Sequence, residues 1–136
     1  MEKVTLMEAY VIETIRHAGF TNKEMMIKIE NRQLDDFQKL DESLDFTVLY
    51  SLVENNWLKS ILEDGYTITF LTFPGLINLL KLKYNKHRDK DFDVSDFVIS
   101  KLQLNKEQMA DLETWLSANW KIKKEKEGIG IKPVHI

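Results

Sequence analysis

The chain has 136 residues, no cysteine, 43% hydrophobic and 10% aromatic content and a formal charge of −3. That is enough apolar surface for a core, and it excludes disulfides, thiolate metal sites and cysteine nucleophiles. With no global positive field, any partner has to be met through a local surface.

The amino-terminal segment, MEKVTLMEAYVIETIR, places glutamates where a secretion signal needs a basic head and an unbroken apolar run. The longest apolar run, Tyr66 to Leu80, contains Pro74 and Gly75 and is too short to span a bilayer. A cytoplasmic protein without a membrane partner is expected. Val4, Met7, Val11, Ile15 and Ala18 recur at helical spacing with Gly19 as a left-handed stop, predicting a first helix over about 5–18 whose opposite face, with Glu8, Glu13 and Arg16, meets solvent. Thr21 with Glu24 forms a capping box for a second helix over about 22–31. The acidic stretch 33–44 leaves room for a short turn near 35–40. Asp45 or Ser43 caps a third helix with Phe46, Leu49, Leu52 and Val53 inward.

After Asn55 and Asn56 the pattern reads as extended. Segments 60–62 and 66–71 are β-prone, and the Asp64-Gly65 pair between them favours a tight hairpin. Thr72 caps a fourth helix with Pro74 in its first turn, carrying Leu76, Ile77, Leu80 and Leu82 inward and ending in the basic run 81–90. Asp93 or Ser95 caps a further helix to about 103, and Asn105 with Gln108 caps another carrying Met109, Leu112, Leu116 and Trp120. Residues 128–133 form a tail or a short added strand.

Leu52, Val53, Glu54, Asn55, Asn56, Trp57, Leu58, then Asp64 and Gly65, then Leu71, Thr72, Pro74 and Gly75 stand in the order helix, tight hairpin, helix. In this order the segment resembles the winged helix-turn-helix superfamily, over about residues 4–84. The resemblance implies a mainly α fold with a small β-hairpin, followed by a helical carboxy-terminal extension. The corresponding divisions are a winged-helix domain at 1–90, an extension at 91–120 that packs on it or forms a dimer interface, and a tail at 121–136. By position it implies a third helix in the DNA major groove, presenting Thr47, Tyr50, Ser51 and Glu54, with Lys59, Glu63 and Asp64 in the wing.

The charges cut across that reading. From Asp41 to Leu58 there is no Lys or Arg, whereas Asp41, Glu42, Asp45 and Glu54 are acidic, and affinity for DNA comes mainly from neutralised phosphates. Two functions are therefore expected. One is a small DNA-binding transcriptional regulator contacting double-stranded DNA through Thr47, Tyr50, Ser51, Lys59, Lys81 and Lys83. The other is a non-enzymatic interaction module, or a phage-type inhibitor, that meets a protein through Glu54, Glu63, Asp64, Trp115 and Trp120, with a homodimer through 95–120 as a further possibility. Trp57 reads as core, and one of Trp115 and Trp120 as a contact residue.

No cofactor, metal or catalytic set is expected. Asp89, Asp91 and Asp93 imitate the start of a calcium loop, but Val94 and Ser100 replace its glycine and its bidentate glutamate. Glu13 and His17 lie one helical turn apart without a third ligand nearby.

Overall fold

Thr5 and Glu8 set the first helix. The Thr5 hydroxyl accepts from the Glu8 amide (3.1 Å) while the Glu8 carboxylate accepts from the Thr5 amide (2.8 Å), so two amides left free by helix geometry are satisfied at once. In the computed structural model, which describes residues 1–135, α1 runs Leu6–His17 and ends before Gly19, whose φ is +101°. Thr21 and Glu24 repeat the device for α2 (Asn22–Glu30). A short α3 (Asp35–Gln38), a 3₁₀ turn (Phe46–Leu49), α4 (Tyr50–Glu54) and α5 (Leu58–Asp64) follow. Two strands of two residues, β1 (Lys3–Val4) and β2 (Thr67–Ile68), pair in parallel.

The chain divides into two compact units, Met1–Thr67 and the chain from Ile68 onward. In the first, the α1 face carrying Ala9, Ile12 and Ile15 is buried, as are Phe37, Phe46 and Leu49. Glu13 belongs to this buried side and is not solvent surface, being only 3% exposed. It accepts from the Tyr66 hydroxyl (2.5 Å) and from Arg16 Nη1 (3.2 Å). Arg16 Nη2 (2.8 Å) and Asn22 Nδ2 (2.9 Å) both donate to the Leu62 carbonyl. Burying a carboxylate requires such partners, and this set ties α1 and the start of α2 to the end of α5.

The expected fold class, mainly α with one hairpin, is overturned: the chain is α/β. Among the described residues, seven α-helices accompany the parallel pair and a four-stranded antiparallel sheet. No wing follows α4. Leu58, Ile61 and Leu62 recur at i, i+3 and i+4 and are buried on one face of α5, so helical burial wins over the extended propensity of 60–62. Gly65, with φ +97°, caps that helix. A hairpin and a helix end both use glycine's left-handed backbone, and here the helix end claims it.

The second unit begins with α6 (Phe73–Tyr84), capped by Thr72 with Pro74 in its first turn. Next come β3 (Asp93–Ser95), β4 (Val98–Leu102), α7 (Lys106–Trp115), β5 (Trp120–Lys124) and β6 (Ile129–Pro133). The strands stand in the order β3-β4-β6-β5. The helix expected over 93–103 is thus a hairpin. The ladder shifts register between Ile99 and Leu102, where Lys101 has φ +58°. That bulge puts two buried residues three apart, imitating a helical period in a strand. Within the 128–133 segment, β6 is an inner strand flanked by β4 and β5.

Trp120 lies in β5, where its indole N–H donates to the Leu71 carbonyl (2.6 Å). The Trp115 indole donates to the Tyr84 hydroxyl (2.9 Å), which donates to Asp111 (2.6 Å), and Lys83 Nζ sits 3.3 Å from the same carboxylate. α6 and α7 are joined by that chain. Among the described residues, no helix is long and apolar enough to cross a membrane.

Candidate functional site

One face of α6 presents Phe73, Ile77 and Lys81 at four-residue intervals, with Pro74 and Asn78 beside them. Beyond Tyr84 the chain turns back. Asn85 adopts the left-handed conformation (φ +57°), and the following loop brings Lys86, His87 and Arg88 to the same place, enclosing an open cleft of about 410 Å³. Its wall is apolar at the Phe73 and Pro74 end and cationic at the other.

The loop is held by its own hydrogen bonds. The His87 amide donates to Asp91 Oδ2 (2.7 Å), the Asp91 amide donates to the His87 carbonyl (2.8 Å), and His87 Nε2 lies 3.0 Å from Asn85 Oδ1. The Asp89 amide donates to the Phe92 carbonyl (2.9 Å) with Asp89 at φ +66°. The cations are therefore presented on a preformed frame. Arg88 is near Asp89 (3.8 Å), both exposed; among the described residues neither Lys81 nor Lys86 is in an ion pair.

An aromatic row leads to the cleft. Phe73 packs against Trp120 (centroids 5.8 Å) on one side and against Phe97 edge-on (5.5 Å, 80°) on the other. Phe97 is at the tip of the β3-β4 hairpin and is 64% exposed. Phe70, just before α6, is also exposed.

The residues singled out from the sequence scatter. Lys81 is in the cleft. Lys83, two residues on, is turned away, its side chain 7% exposed, paired with Asp111 and lying 5.7 Å from the centroid of the Trp115 ring. Trp115 and Trp120 are buried, so neither offers a contact surface, whereas Trp57, expected in the core, is 40% exposed. In the first unit, Thr47 is held by Asp45 within the 3₁₀ turn, and Ser51 donates to the Val48 carbonyl (2.9 Å). Tyr50 lies under the Arg32 guanidinium (4.4 Å), and Glu54 is 4.0 Å from the same arginine. Lys59, Glu63 and Asp64 are exposed on α5.

The calcium-like aspartates diverge. Asp89 is near Arg88, Asp91 is bound to the His87 amide and Asp93 is 3.6 Å from Lys101. Among the described residues no group of three His, Asp or Glu side chains is placed to hold a metal ion.

Phe97 is not marked by the sequence, whereas Lys86 and Arg88 are visible there only as members of the basic run 81–90. It is the left-handed turn at Asn85 that brings these two to the same cleft as Lys81. Phe97 carried no signal because Asp-Phe is not a turn pair that composition favours. As built, the cleft can hold an anionic ligand that also has a flat or apolar part.

Comparison with known protein families, with characterised proteins and with solved structures finds no match.

Proposed function

We propose that this protein is a non-enzymatic nucleic-acid-binding protein of the cytoplasm, and that the α6 cleft is its contact surface. The observation that carries the reading is the convergence of Lys81, Lys86 and Arg88 on a cleft walled by Phe73. Phosphate contacts supply most of the affinity of such proteins, and an apolar or aromatic wall beside them suits bases. The distribution of charge supports it. The first unit holds seven Lys and Arg against thirteen Asp and Glu, a net of −6, and the second holds twelve against nine, a net of +3. The overall −3 thus conceals a basic unit, and such a unit favours an anionic partner, of which nucleic acid is one class. The absence of cysteine suits a reducing compartment.

The test is fluorescence anisotropy with labelled DNA at low salt. Binding is expected for the wild type and strongly reduced for Lys81→Glu with Arg88→Glu; equal binding by both removes the cleft from the function.

The acidic first unit favours a second reading, a basic protein partner. Its observation is the half-exposed Trp57, with Glu54, Glu63 and Asp64 exposed nearby in sequence. Poly-lysine is expected to shift Trp57 emission in a Trp115→Phe, Trp120→Phe background. An unchanged spectrum ends that reading.

A further inference from the structure

We infer that Phe97 is a base-stacking residue and that the site takes single-stranded nucleic acid in preference to duplex. The inference rests on the reading of the α6 cleft given above and goes beyond it.

Phe97 occupies a backbone position that works against it. Ser95 and Val98 are register partners, so Asp96 and Phe97 alone make the turn. Their φ values are +50° and +64°. A two-residue turn of this kind needs left-handed backbone at both positions and favours glycine at the second. An aspartate tolerates the conformation, but a bulky aromatic is a true outlier there. Phe97 is the only aromatic residue with positive φ among those described. Strain of this kind persists where something else over-determines it, and it concentrates at ligand sites.

Packing accounts for only part of the side chain. The edge-on contact with Phe73 leaves Phe97 64% exposed. A large apolar ring held out at the tip of a two-residue hairpin is costly to hydrate, and its contact with Phe73 places it beside the wall of the cationic cleft. Exposed ring, apolar wall and unpaired lysines are the parts from which single-strand sites are built: bases stack on the aromatics while the backbone follows the cations. In a duplex the bases are stacked on one another and their faces are closed to such a ring. Tyr84, the aromatic within the basic run, is unsuited to this role because its hydroxyl is committed to Asp111 and Trp115.

The experiment measures anisotropy with fluorescein-labelled oligothymidine of about 20 nucleotides, long enough to cover one site, and with a duplex of the same length. Full-length wild type, Phe97→Gly, Phe97→Trp and Lys81→Glu with Arg88→Glu are compared. The wild type is expected to bind the single strand more tightly than the duplex. Phe97→Gly should lose about 5- to 150-fold in single-strand affinity, the equivalent of one stacked base, with duplex affinity unchanged. Its melting temperature should be unchanged or raised, since glycine fits the turn, so a folding defect does not explain the loss. Phe97→Trp should retain binding.

Equal affinity of Phe97→Gly and wild type for oligothymidine overturns the stacking role while leaving the cleft reading intact. No binding of either nucleic acid by the wild type overturns the cleft reading itself. Heparin, which has anions but no bases, should compete weakly. Competition as strong as that of oligothymidine marks a general polyanion surface and also overturns the inference.

Discussion

Gly128 and Gly19 both have positive φ, +76° and +101°, yet they answer to different constraints. A Cβ on Gly128 would overlap the Leu102 carbonyl oxygen and meet the Gln103 side chain at 3.2 Å, whereas a Cβ on Gly19 meets nothing within 4 Å. Gly19→Ala therefore carries only the left-handed strain, about 1 kcal/mol. Gly128→Ala adds a clash with backbone of the neighbouring strand and is expected to destabilise by about 3 kcal/mol or to displace the β5-β6 turn. Urea midpoints of the two variants distinguish the cases, and equal losses would show that the strand approach is looser than described.

Charged residues of the first unit act at the same scale. The Thr21 amide holds Glu24 below its usual value, and hydrogen bonds from Lys28, Ser43 and Thr47 do the same for Asp36, Asp41 and Asp45. In each case the folded pKa is the depressed one, so the stabilisation is complete above the ordinary values of 4.5 for Glu and 3.8 for Asp, and is lost as pH falls through the folded value. The wild type should accordingly lose stability in that acid range. Asp45→Ser, which keeps a capping oxygen without the charge, should show a flatter acid limb in urea titrations. A limb as steep as that of the wild type would remove Asp45 from the effect.

Among the elements, those whose ends are marked by side chains were legible from sequence and those decided by pairing were not. The boxes at Thr5, Thr21 and Asn105 and the Thr72 cap with Pro74 begin helices where local chemistry alone places them. The Asp64-Gly65 pair was ambiguous because one backbone conformation serves both a turn and a helix end. The β4 bulge at Lys101 hid a strand behind helical spacing, and β6 was indistinct because a short segment with two glycines becomes a strand only when neighbours supply its hydrogen bonds. The cleft was half legible: its cations were visible as a run, but the loop that faces them toward α6 depends on left-handed backbone at Asn85 and Asp89.

Register also creates a conflict that sequence does not reveal. Lys121 stands directly opposite Lys132, with Lys123 on the same face of the sheet. Like charges opposed across antiparallel strands are destabilising, whereas opposite charges contribute roughly 0.2–1 kcal/mol. Lys121→Glu is therefore expected to stabilise the protein by about 0.5 kcal/mol in urea unfolding at low salt, with the gain shrinking as salt rises. A loss of stability would mean that the pairing on this edge differs from the one described.

For the whole molecule, the decisive property is that charge is segregated by unit, −6 and +3, and net charge alone conceals it. Three cations of the acidic unit are answered locally: Arg16 is 3.2 Å from Glu13, Lys28 is 2.8 Å from Asp36, and Arg32 lies over Tyr50 and beside Glu54. In the cleft, Arg88 is near Asp89, while Lys81 and Lys86 are in no ion pair among the described residues. If Lys81, Lys86 and Arg88 each neutralise one phosphate of a single strand, log K should fall against log salt with a slope of about −2, at about 0.7 per contact. Lys86→Ala should then reduce the slope to about −1.4. Lys23→Ala, an exposed position in the acidic unit, should leave it unchanged. The comparison of those two variants is more informative than either affinity, because a general response to net charge predicts the same change for both. Equal slopes would mean that binding follows the overall field and not the cleft, whereas a drop confined to Lys86→Ala ties phosphate contact to the loop that Asn85 turns toward α6.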